Sequence, residues 1–299
     1  MKPLIGTAAT RPARIIAGTV LSAAFSFSAF AQSPAPQHAD VTYAVVDGRA
    51  LKLDLYLPDS ATPPPLVVWV HGGAWRFGSK ESPPANFVDS GFALASLDFR
   101  QSTDAPFPAM VHDIKAAIRY LRANAPRYGY DPDRIAIAGA SSGGHLAALV
   151  GVTNGHEALE GTVGEHLDVS SNVQAIVVYF GASNLTTILD QSTPAGLRVR
   201  APAVQLLLGA APDAVPELAR LASPVFHVDA SDPPLHLLHG DQDTQMPINQ
   251  AHELYGAYEA LDLDVYLDVV HGTGHGGRAF YSGEHWARTE AFLRRALGT

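Results

Sequence analysis

The chain has 299 residues, a formal net charge of −9, 47% hydrophobic residues and no cysteine. That length fits one large α/β domain or two small ones, and the apolar content without blocks of like charge excludes a disordered chain. The acidic balance argues against nucleic acid or an anionic membrane surface as partner, and the absence of cysteine excludes disulfides and thiolate metal sites. At the N-terminus, Lys2, Arg11 and Arg14 precede an apolar run over 15–31 that ends in Ala29-Phe30-Ala31, a small-x-small cleavage pattern. Ser22, Ser26 and Ser28 dilute that run and no second apolar span follows, so it reads as a signal peptide over 1–31 and not as a membrane helix. Removing those 31 residues and their three positive charges leaves 268 residues and a charge of −12. The expectation is an exported chain, periplasmic or secreted, with no stable membrane association.

Residues 32–40 contain two prolines and read as a mobile leader to a single catalytic domain over 41–299. Two alternating segments, 41–46 and 51–57, flank Asp47-Gly48 as a hairpin, with Asp54 and Tyr56 pointing one way and Leu53, Leu55 and Leu57 the other. Residues 66–70 are a continuous apolar run, which suits a strand covered on both faces, and they end abruptly in His71-Gly72-Gly73-Ala74-Trp75. Residues 93–97 form the next buried strand. A helix spans 109–123, with Met110, Ile114, Ala117, Ile118 and Leu121 at helical spacing. A loop over 128–133 leads to a strand at 135–138, the turn Gly139-Ala140-Ser141-Ser142-Gly143-Gly144 and a helix over 145–150.

Further strands are expected at 173–180, 235–238 and 264–270, and further helices at 248–261 and 284–297. The stretch 181–230 is mixed, with short helices at 206–208 and 214–221, and any lid over the site comes from it. Alternating strands and helices imply a mostly parallel sheet with helices on both faces, whose ligand site lies at the carboxyl ends of the strands.

Three of those carboxyl ends carry groups of one chemistry. Gly139-Ala140-Ser141-Ser142-Gly143 has the G-x-S-x-G pattern in strand–turn–helix context, where the small neighbours leave room for a strained serine. A serine here also makes a good helix N-cap, and Ser142 would do that equally well; the glycine spacing centres on Ser141. Asp241 and Asp243 follow the strand at 235–238, and Asp241, beside Gly240, suits a structural turn. His271 directly follows the last strand, whereas His275 sits among Gly274, Gly276 and Gly277 on a pliable loop. The set Ser141, Asp243 and His275 follows the chain order of the α/β-hydrolases: nucleophile, orienting acid and base. Gly73 and Ala74, with Ser142, would offer backbone N–H groups to an oxyanion. Trp75, Phe180 and Met246 adjoin these loops and are candidate substrate-pocket walls, each equally suited to the core. No H-E-x-x-H motif points to a metal, and no cofactor is expected.

With those residues in view, the chain resembles the esterase branch of the α/β-hydrolases, which includes hormone-sensitive-lipase-like carboxylesterases, and most of all the bacterial feruloyl-esterase-like family. The resemblance rests on His71-Gly72-Gly73-Ala74-Trp75, on Gly139 to Ala147 around Ser141, on His239-Gly240-Asp241-Gln242-Asp243, on Leu159-Glu160-Gly161 with Gly164, and on Gly272 to Gly277. It implies a serine esterase with the triad Ser141, Asp243 and His275, acting on a small-molecule or polysaccharide-borne ester. Two departures stand out: Ala74 replaces the third glycine of the commonest oxyanion motif, and Asn184 stands where Asp is frequent. The rival functions are an acetyl-xylan or feruloyl esterase on plant polysaccharide, an arylformamidase-like amidase, an exopeptidase, and a non-catalytic binding module on a hydrolase fold.

Overall fold

The computed structural model describes residues 35–299; the expected signal peptide over 1–31 lies outside the described residues. Eight strands form one sheet: β1 (His38–Val46), β2 (Arg49–Tyr56), β3 (Pro65–Val70), β4 (Ala93–Leu97), β5 (Asp131–Ala140), β6 (Ala175–Tyr179), β7 (Leu235–Gly240) and β8 (Val265–Val270). Their order is β1-β2-β4-β3-β5-β6-β7-β8, with β1/β2 and β2/β4 antiparallel and every other pair parallel. The helices are α1 (Asn86–Asp89), α2 (Ala109–Tyr128), α3 (Ser142–Gly151), α4 (Glu157–Glu160) and α5 (Ile188–Gln191). They continue as α6 (Pro194–Leu208), α7 (Pro216–Leu221), α8 (Asn249–Glu259) and α9 (Gly283–Leu297). No helix among the described residues is long and apolar enough to cross a membrane.

The continuous apolar runs are explained by two hydrophobic layers. In β3, Leu66, Val68 and Val70 enter the core shared with α2 and α3, while Val67 and Trp69 enter the layer shared with α9. Both faces are therefore dry, and alternation disappears from the sequence. α2 packs Met110, Ile114, Ala117, Ile118 and Leu121 into the first layer, and α9 packs Phe292, Leu293 and Leu297 into the second.

Several elements differ from expectation. β1 begins at His38, so the last three residues of the expected mobile leader are in the sheet. Asp54, expected on a polar face, is buried; its carboxylate accepts the Asp40 N–H at 2.8 Å and the Lys80 ammonium at 2.9 Å. α2 runs past Ala123 to Tyr128 with Pro126 inside it, and Gly129 closes it in the left-handed region. The expected loop over 128–133 gives up its last residues to β5.

The largest difference is α6, which spans 15 residues where three were expected. Thr193 caps it by accepting the Gly196 N–H at 3.0 Å, Pro194 occupies its first turn and Gly209 ends it. The Leu159-Glu160-Gly161 motif serves the fold. Glu160 accepts hydrogen bonds from Lys115 at 2.6 Å, Arg119 at 3.2 Å and Ser171 at 2.8 Å, pairing one carboxylate with two basic side chains of α2.

Candidate active site

The serine turn is assembled by steric exclusion. β5 delivers Ser141 with φ 55° and ψ −121°, a left-handed conformation that side chains rarely adopt. Its N–H donates to the Tyr179 carbonyl at 2.9 Å and its carbonyl accepts from His145 at 3.0 Å, so strand and helix hold the strained residue from both sides. A Cβ on Gly139 would lie 2.3 Å from the Gly143 carbonyl oxygen, and one on Gly143 would lie 2.1 Å from that of Val70. Gly143→Ala is therefore expected to cost on the order of 3 kcal/mol through overpacking against rigid backbone. A urea denaturation curve superimposable on wild type would refute that crowding.

His275 and Asp243 meet this serine from the ends of β8 and β7. His275 Nε2 lies 2.9 Å from Ser141 Oγ, and its Nδ1 lies 2.7 Å from Asp243 Oδ2. With the Nδ1–H donating to the carboxylate, Nε2 presents its lone pair to the hydroxyl. The other carboxylate oxygen, Oδ1, accepts the Gln245 and Met246 N–H groups, each at 2.8 Å. His239, fully buried in β7, donates its Nε2–H to the Met246 carbonyl at 3.0 Å and stands 3.5 Å from Asp243 Oδ2; its Nδ1 has no partner. Burial pushes the Asp243 carboxyl up, but hydrogen bonds from His239 and His275 outweigh it and hold the group well below the usual carboxylate range. Burial lowers the His275 pKa and Asp243 only partly restores it, so the ring is neutral at neutral pH.

The competing acid–base pair sits elsewhere. Asp241 Oδ2 accepts from His271 Nδ1 at 2.9 Å, with the His271 side chain 83% exposed. That pair closes a surface turn, together with the Gly272 N–H on Asp241 Oδ1 at 2.7 Å.

Gly73, Ala74 and Trp75 all have positive φ (129°, 53° and 60°), which turns the loop after β3 toward the serine end of the sheet. The Gly73 carbonyl is used by Arg76 and Phe77, at 3.1 and 3.2 Å, while its own N–H and that of Ala74 meet no backbone acceptor among the described residues. Ser142 opens α3, where helix geometry leaves its N–H without an intrahelical partner. Trp75, a candidate for either pocket wall or core, is buried: its indole N–H must find a buried acceptor and donates to His145 Nδ1 at 3.0 Å. The His145 Nε2–H in turn donates to the Ala222 carbonyl at 2.7 Å, and burial pushes this imidazole down to about 4. Met246 is likewise wholly buried in the core, and its backbone is the part that meets Asp243. Phe180 does reach the site, its ring set edge-on to His275 at 4.9 Å between centroids. At the Asn184 departure the side-chain amide donates to Glu253 of α8 at 2.6 Å.

A mixed sheet of this order, with a serine turn after β5, an acid after β7 and a histidine after β8, is the α/β-hydrolase fold. Within it the chain belongs to the BD-FAE family, whose model matches residues 53–258. The chain is 32% identical over 220 residues to Esterase LipC of Mycobacterium tuberculosis, covering 72% of this chain and 53% of LipC. It spans about half the length of that relative and of the probable carboxylic ester hydrolase LipM from the same organism, to which it is 30% identical over 220 residues. Among solved structures, a truncated carbohydrate esterase from gut microbiota superposes with a TM-score of 0.78 at 31% identity, over 88% of this chain and 96% of that one.

Proposed function

We propose that this protein is an exported carboxylic ester hydrolase, working through an acyl-enzyme on short-chain or aromatic esters. The observation that carries the reading is the unbroken hydrogen-bonded run from Asp243 through His275 to Ser141. Ser141 Oγ attacks the ester carbonyl as His275 Nε2 takes its proton, and Asp243 stabilises the imidazolium that forms. The N–H groups of Gly73, Ala74 and Ser142 receive the charge that develops on the carbonyl oxygen. The tetrahedral intermediate collapses, His275 returns the proton to the departing alcohol, and water then repeats the sequence on the acyl-serine. Residues 41–299 act as one catalytic domain, with 181–230 covering one side of the site.

A second reading, esters carried on polysaccharide, is favoured by the likeness to the gut carbohydrate esterase. One ester panel tests both: p-nitrophenyl acetate through octanoate, methyl ferulate, acetylated xylan, and N-formylkynurenine as the amide arm. Turnover of the short p-nitrophenyl esters is expected to be fastest, with acetate released from acetylated xylan at a comparable rate under the second reading. Hydrolysis of the formamide with every ester inert would overturn both.

A further inference from the structure

Arg200 projects from α6 into the interior with only 1% of its surface exposed. A guanidinium carries five N–H donors and a charge that persists at any ordinary pH, so a buried one is normally paired with a carboxylate. Here Nε donates to the Gln245 carbonyl at 3.0 Å, Nη1 has no partner, and no acidic side chain among the described residues forms an ion pair with it. Burial pushes its pKa down to about 10, opposed by Asp243, and it stays charged at neutral pH.

Its two neighbours are informative. Gln245 is the residue whose N–H orders Asp243 Oδ1, so Arg200 holds the far side of the same peptide segment. Trp75, whose ring centroid is 5.9 Å from the guanidinium carbon, follows Ala74 of the oxyanion loop. One side chain therefore spans the acid loop and the oxyanion loop. α6 is fastened to the acid loop a second time, by Thr193 Oγ1 donating to the Thr244 carbonyl at 2.8 Å. Two hydrogen bonds therefore join α6 and its cap to the acid loop. The charged and titratable groups around the dyad are Asp243, His239, His275 and Arg200, with Arg76 beyond it. Asp243 is the one carboxylate in that set.

We infer that Arg200 is a positioning residue for hydrolysis. It clamps the Gln245 segment that orients Asp243, and it sets a permanent positive charge beside the dyad. The inference rests on the triad reading above. A nearby cation disfavours imidazolium, so it keeps His275 available as a base to lower pH.

The test compares pH profiles of kcat/KM for p-nitrophenyl acetate in wild type, Arg200→Met and Arg200→Lys, with Ser141→Ala as control. Arg200→Met is expected to lower kcat about tenfold and to move the acid limb up by about 0.5 pH unit, with KM changed less than about threefold. Arg200→Lys keeps the charge but not the planar fork, so its limb is expected at the wild-type position with kcat still reduced. A folded Met variant whose limb coincides with wild type, or equal displacement in Met and Lys, overturns the inference. If Arg200→Met melts below the assay temperature, Arg200→Gln is judged by the same criterion. Ser141→Ala separates the two failures: full activity there sinks the triad reading, whereas an inactive control with coincident limbs sinks only the role of Arg200.

Discussion

Ser141→Ala is expected to reduce kcat for p-nitrophenyl acetate by at least about 10⁴-fold while the protein folds and melts as wild type, because losing the nucleophile leaves only binding and oxyanion stabilisation. The magnitude follows from position. Ser141 Oγ stands 2.9 Å from His275 Nε2, and no other hydroxyl among the described residues is hydrogen-bonded to that ring. Ser142 is the nearest rival in sequence, but it is the first residue of α3 and buried beneath the turn. Folding is spared because the strain at this position belongs to the backbone, which alanine tolerates about as well as serine. Phosphonylation by an organophosphate, mapped by peptide mass, offers a second readout: label on Ser141 in wild type and none in the variant. Near-wild-type turnover by Ser141→Ala would remove the basis for an acyl-enzyme altogether.

Much of this site was legible in the sequence because its parts are local signals. The glycines around Ser141 are required by contacts within a few residues and by the two strand ends beneath them, so spacing alone reports them. The doubly covered strands are legible for a similar reason: β3 and β6 bury every residue, and such runs read as continuous apolar stretches. Arg200 was not legible, since nothing near it in sequence hints that its partner is the carbonyl of Gln245, 45 residues away. Proximity in the chain leaves Trp75 and Met246 open between pocket and core; in the structure both are buried, and the Trp75 indole N–H finds its acceptor in His145. α6 had a local signal, the Thr193-Pro194 cap, but Pro202 inside it obscured the helix. The same holds for His239, whose ring steadies Asp243 although its strand position reads as plain core.

Asp243→Asn is expected to lower kcat by about 10⁴-fold with little change in stability, since the wrong imidazole tautomer is then favoured. The hydrogen bonds decide how the amide is oriented. Oδ1 accepts two backbone N–H groups, from Gln245 and Met246, so the asparagine oxygen stays there and its NH₂ replaces Oδ2. That NH₂ faces His275 Nδ1 at the 2.7 Å position and donates to it, which moves the ring proton to Nε2. Nε2 then carries a hydrogen toward Ser141 where a lone pair is needed. The opposite orientation would set NH₂ against two N–H donors and is worse by at least one lost hydrogen bond. Asp241→Asn is the matched control: it touches only the exposed His271 turn, so kcat should stay within about twofold of wild type, as for most surface substitutions. Should the large loss appear in Asp241→Asn and not in Asp243→Asn, the acid has been assigned to the wrong pair, and His275 would lose its claim as the base along with it.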